Sequence, residues 1–203
     1  MRIILPVLML AVLAILGGCV SAPTQDPADL PSGNWQLDTE HASAHWRSRH
    51  FGLAWFTARF DSIDASLDFD PSEPEGAQLT AIIDAGSVST GNAAFDETLR
   101  GPNWFSAERH PQIIFRSSSI AVTGEDTGVA EGELTIRGIA HPARMDIVFY
   151  GGNFNFLENR DVIGFGADMV VSRSDYGIGP LIPATIAGDE VRIRIEAEFL
   201  RDE

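Results

Sequence analysis

The groups in this chain able to do chemistry are 29 Asp and Glu, 14 cationic side chains, five His and a single Cys. His41, His45, His50 and His110 invite a metal reading. His41 and His45 share one face of a strand with Arg47 and Arg49, and no Cys or carboxylate completes a familiar ligand spacing, so no metal site is expected. Asp61, Asp64, Asp68 and Asp70 suggest a calcium loop or a glycosidase pair. Asp64, Asp68 and Asp70 alternate with Ala65, Leu67 and Phe69, which makes them the wet face of a strand. Ser117, Ser118, Ser119, His110 and Asp96 form a triad only on paper, because nothing resembling a nucleophile elbow surrounds the serines. No catalytic residue and no cofactor are therefore expected.

The apolar residues carry a stronger signal. Trp46, Phe51, Phe56, Phe60, Phe69, Trp104, Phe105, Phe115, Phe149, Phe165 and Tyr176 fall on or beside the apolar faces of short alternating runs. Leu99, Leu134 and Met169 join them. Between them stand small residues such as Ala44, Ala58, Ala65, Ala81, Gly132 and Ala167. Large rings interleaved with small side chains suit an interior that keeps room for an apolar guest. Arg100, His50, His110 and Arg173 are the candidates for holding a polar head at its mouth.

The elements that must position these residues are strands. From residue 34 onward the pattern has period two, cleanest in "EVRIRIEAEFL", where Val191, Ile193, Ile195, Ala197 and Phe199 alternate with charges. "VAEGELTIR" turns at Gly138 and returns as "ARMDIVFY", a hairpin. About ten strand-like segments follow. An antiparallel sheet of that size hides its apolar face by folding into a sandwich or closing into a barrel. The one helical window is "STGNAAFDETLRGPNWF": Asn92 or Thr90 caps it, Phe95 and Leu99 are four apart, and Gly101 with Pro102 ends it. A helix between two barrel strands can cover an open end, with Trp104 and Phe105 beside it.

At the N-terminus, Arg2, the apolar run Ile3–Leu16 and "LGGC" read as an export signal over residues 1–18, too short to span a bilayer. "LGGC" resembles the lipobox of bacterial lipoproteins, which implies a lipid attached to Cys19 and a membrane anchor. Val20 in place of aspartate favours the periplasmic face of the outer membrane. Residues 19–33, with three prolines after the cysteine, read as the lipidated Cys and a flexible linker, and residues 34–203 as one domain. The net charge of −15, with no lysine, argues against nucleic-acid partners.

The blocks "W-x-LD-x-EH-x-S", "RHFGL", "FDSIDASLDFD", "DETLRGPNWFSAERHPQIIFRSSSI", "GELTIRGIAHPARMDI", "ADMVVSRSDYGIG" and "GDEVRIRIEAE", in this order, resemble the YceI family of lipocalin-like periplasmic proteins. The resemblance runs from Trp35 to Phe199. It implies an all-β fold, an extended antiparallel eight-stranded lipocalin-like β-barrel with a short helix between strands. It also implies binding, storage or transport of a long isoprenoid or quinone-like lipid, without bond chemistry. A homodimer is also among the expected partners. Ala58 stands where relatives commonly have Gly, and Tyr176 where many have Phe. Two other readings compete: a hydrolase using scattered Asp and His residues, and a stress-related interaction protein whose barrel is full.

Overall fold

The computed structural model describes residues 22–202. The leader and Cys19 lie outside the described residues. Eleven strands make one antiparallel sheet: β1 (Gly33–Leu37), β2 (Ser43–His50), β3 (Ala54–Phe60), β4 (Ile63–Phe69), β5 (Gln78–Asp84), β6 (Val88–Ser89), β7 (Gln112–Val122), β8 (Thr127–Ile136), β9 (Ile139–Asn155), β10 (Arg160–Ser172) and β11 (Ala187–Arg201). The helix α1 (Ala93–Arg100) lies between β6 and β7. Going round, β1, β4, β5, β7, β8, β9, β10 and β11 are hydrogen-bonded neighbours, and β11 returns to β1, so these eight strands close a barrel. The remaining three strands prolong the wall. β11 pairs with β1 at Leu37↔Phe199 and with β2 from Glu196↔Ser43 onward, while β3 pairs with β2 and β6 with β3.

Closure explains the period-two pattern. Each strand puts alternate residues inside, as in β4, where Ile63, Ala65, Leu67 and Phe69 are buried and Asp64, Ser66 and Asp68 exposed. The expected β8–β9 hairpin turns through Arg137 and Gly138, both at positive φ, the conformation that a two-residue type I′ turn requires. Two apolar clusters fill the interior, one around Val88, Leu99, Phe115 and Met145, the other around Trp35, Leu67, Ile163 and Phe199.

The barrel has two unlike ends. One carries α1 and the turns β2–β3, β8–β9 and β10–β11, and is called the lid end below. There β6 pairs only with β3 among the described strands, and β7 starts its pairing with β5 at Asp84↔Gln112, so the wall has a seam beyond that point. The helix lies over it. Asn92 caps α1 by accepting from the backbone N–H of Ala94 and Phe95 at 3.1 and 3.3 Å, and Gly101 follows its last residue.

The opposite, tether end carries the turns β4–β5, β7–β8 and β9–β10 and receives the N-terminal segment. From Thr24 onward that segment departs from the free linker expected. Thr24 and Gly152 exchange two backbone hydrogen bonds of 2.8 Å, and Leu30 is buried in the barrel core. Gly151 makes this approach feasible: its φ is +101°, and a Cβ there would stand 2.6 Å from the Thr24 carbonyl oxygen.

Candidate functional site: a waisted apolar interior

The inward faces leave two cavities, one behind the other. The first, of about 370 Å³, occupies the lid half. β2 turns Ala44 and Trp46 into it, β3 Phe56 and Phe60, β7 Phe115, β8 Leu134 and β10 Met169; α1 and the loop after it add Phe95, Leu99, Trp104 and Phe105. These rings meet in a continuous chain across the lid end. Phe60 and Phe105 lie 5.2 Å apart, Trp46 lies 6.3 Å from Phe105 and 6.0 Å from Phe56, and Phe95 links Phe56 to Trp104 at 5.6 and 6.4 Å. Most are tilted or edge-to-face, the arrangement ring quadrupoles prefer.

The second cavity, of about 240 Å³, occupies the tether half and is walled by Phe69, Phe149 and Phe165, with centroids 5.0 to 6.0 Å apart. Ala81, Met145, Ala167 and Ile195 border both cavities. They form a waist between the two cavities, and two of the four, Ala81 and Ala167, are among the small residues noted in the sequence.

Fourteen of the sixteen side chains expected to line the interior border one cavity or the other. Phe51 and Arg100 do not. Phe51 is in the β2–β3 turn at φ 51°, 54% exposed and edge-on to His50. Arg100 borders neither cavity: its Nε donates to Gly86 O at 2.7 Å and Nη2 to Val88 O at 3.2 Å, so it binds the helix to β6 and the turn before it, while the side chain stays 37% exposed beside Glu97. Arg173 borders the first cavity but is no free anion site. Its guanidinium donates to the carbonyls of Ile178, Gly179, Ile182, Ala187 and Gly188 at 2.7 to 3.2 Å, which fixes the β10–β11 loop. Arg137, not singled out from the sequence, does the same for the lid loop through Trp104 O and Gly177 O. Of the histidines proposed for the mouth, His50 borders the first cavity, whereas the His110 ring lies over Gly138 in the β8–β9 turn.

Polar groups facing this interior are few. Ser48 Oγ donates to Gly188 O at 2.8 Å. Burial, followed by the nearby Asp175 carboxylate, raises the pKa of the Tyr176 phenol, which stays neutral. The indole Nε1 of Trp46 is buried and has no hydrogen-bond partner among the described residues. On the outside, His41 meets Asp38 at 2.8 Å with Glu198 close by. That hydrogen bond raises the His41 pKa; burial works to raise Asp38, but the bonds from His41 and Glu40 N–H prevail and lower it. None of the three borders either cavity.

The chain resembles known proteins along most of its length. A UPF0312 protein of Pectobacterium carotovorum is 28% identical over 176 residues, covering 84% of this chain and 88% of that one. The crystal structure of Burkholderia cenocepacia BcnA superposes with a TM-score of 0.73 at 23% identity, over 80% of this chain and 98% of that one. A Saccharophagus degradans domain described as polyisoprenoid-binding superposes with a TM-score of 0.64 at 15% identity, over 85% and 100%. The family model of the YceI-like domain matches residues 35–199, nearly the whole barrel, and the chain belongs to that family.

Proposed function

We propose that this protein binds and carries an amphiphilic lipid with a long apolar chain, isoprenoid in kind, and does no chemistry on it. The observation that carries this reading is the waisted interior: two apolar cavities in line along the barrel, bordered in common by Ala81, Met145, Ala167 and Ile195. A compact guest would need one chamber; two in line suit a chain. Each buried five-carbon unit contributes roughly 4 kcal/mol before ordering costs. The fold shared with a domain described as polyisoprenoid-binding supports the ligand class. The "LGGC" sequence and Val20 support a lipid on Cys19 and residence at the periplasmic face of the outer membrane.

Organic extraction of the purified protein followed by mass spectrometry tests the reading. The expected result is an isoprenoid near one equivalent per chain. A protein that yields no lipid and takes up none when offered a polyprenol would sink it.

A further inference from the structure

We infer that the tether end of the barrel rests on a lipid surface of net-neutral headgroups, and that guests pass between that surface and the second cavity. This rests on the lipid-carrier reading for its purpose, but its geometry stands on separate residues.

Strand β9 runs on for seven residues after Val148, which pairs with Thr127 at the start of β8, so the β9–β10 hairpin stands out past the β7–β8 turn. Its tip presents Phe154, Phe156 and Leu157 at 56%, 59% and 79% exposure. Within the tip the Asn155 side chain accepts from the backbone N–H of Leu157 at 3.0 Å. Clustered apolar side chains on a turn are an interaction surface.

The N-terminal chain says what covers it. Thr24 is bridged to Gly152 on this same hairpin, and the Gln25 amide donates to Phe149 O at 2.8 Å. Pro23 borders a surface groove together with Phe154 and Phe156. Cys19 is five residues before Thr24, a distance the extended chain covers in roughly 17 Å. Any membrane held by that N-terminus is therefore within reach of the hairpin tip. The lid end, with its own exposed Phe51 and Leu53, is about 40 Å away along the tilted strands.

The second cavity reaches the surface at this same end, bordered by Gln25 and Pro27, Pro71 and Pro74, and the β7–β8 turn from Gly124 to Asp126. Glu125 and Asp126 border it, and Glu73 and Glu75 in the β4–β5 turn and Glu158 in the β9–β10 turn belong to the same end. These carboxylates favour headgroups that present an ammonium and disfavour net-anionic ones.

The test uses the full chain carrying Cys19→Ser, so that an added cysteine is the only thiol. Leu157→Cys and Leu53→Cys are each labelled with an environment-sensitive fluorophore and mixed with phosphatidylcholine vesicles containing a bromine-quencher lipid. The label at 157 should shift to the blue and be quenched; the label at 53 should stay aqueous. Phe154→Ser with Phe156→Ser should lower partitioning roughly tenfold per side chain at an unchanged melting temperature. Replacing half the phosphatidylcholine by phosphatidylglycerol should weaken it further, with added salt restoring it. Insertion at 53, an aqueous label at both positions, tighter binding to phosphatidylglycerol, or a shift at 157 that follows protein concentration without vesicles each overturns the inference. The last would mark a contact between copies of the chain. Lipid extraction of the same preparations separates the two readings: a loaded barrel with an aqueous label at 157 sinks the docking alone, and an empty one with 157 inserted sinks the carrier alone.

Discussion

The indole N–H of Trp46 is buried in an apolar wall with no acceptor among the described residues. Leaving such a donor unpaired costs about 1–3 kcal/mol, which an oxygen on a guest would recover. Trp46→Phe should therefore weaken binding of a prenol or prenylquinone by roughly 5- to 100-fold, while leaving an all-hydrocarbon analogue such as squalene nearly unaffected; competition titrations with the three ligands check this. Equal losses for all would show that Trp46 contributes shape alone. The arginines teach the opposite lesson. In the sequence Arg100 and Arg173 are cations beside apolar residues, the pattern of a headgroup clamp. Their acceptors are backbone carbonyls at 86, 88 and 178–188, and a carbonyl left without a partner by a loop carries no side-chain signature. The residue types were legible, but the direction of their bonds was not.

At the scale of the element, the lid depends on a local carboxylate. Asp96, buried in the first turn of α1, accepts from both the backbone N–H and the hydroxyl of Thr90, at 2.7 and 2.6 Å. The Thr90 hydroxyl bond, in the main, holds its pKa below the ordinary carboxylate value. A group whose pKa is lower folded than unfolded stabilises the fold above the unfolded value and ceases to as pH falls through the folded one. The lid should thus loosen in acid while the barrel holds. Amide protection factors for residues 90–100 should drop between neutral pH and about pH 3 more than those of β9 and β10, and Asp96→Asn should show low protection at both. Uniform loss across the barrel would refute a lid-specific role. This helix was visible in the sequence because its signals are local: a cap, a four-residue spacing and a Gly-Pro stop. The strands were visible for a similar reason, since Val191, Ile193 and Ile195 keep one period over a long run. The pinned N-terminal segment was not, because Thr24 meets Gly152 across more than a hundred residues through backbone groups alone.

For the whole molecule, the waist sets what length of guest is accommodated. Ala167→Trp places a large ring between the two cavities at a stability cost of about 1–3 kcal/mol. A guest of two or three isoprene units should still occupy the first cavity with little change, whereas one long enough to thread the waist should lose at least tenfold in affinity for each unit excluded. Displacement of a fluorescent prenyl probe by a series of chain lengths measures this. A loss that does not depend on length would place the guest elsewhere. The same overall view gives the seam beside α1 a meaning. With the mouth at the tether end, a barrel whose far end was fully bonded could make room for a bulkier guest only by breaking ladders that also hold the fold. Here β6 and β7 are not paired with each other, and the short helix α1 joins them. The lid half can thereby yield to its contents without loss of the barrel ladders: the seam and helix can change what the first cavity holds without changing how long the protein lasts.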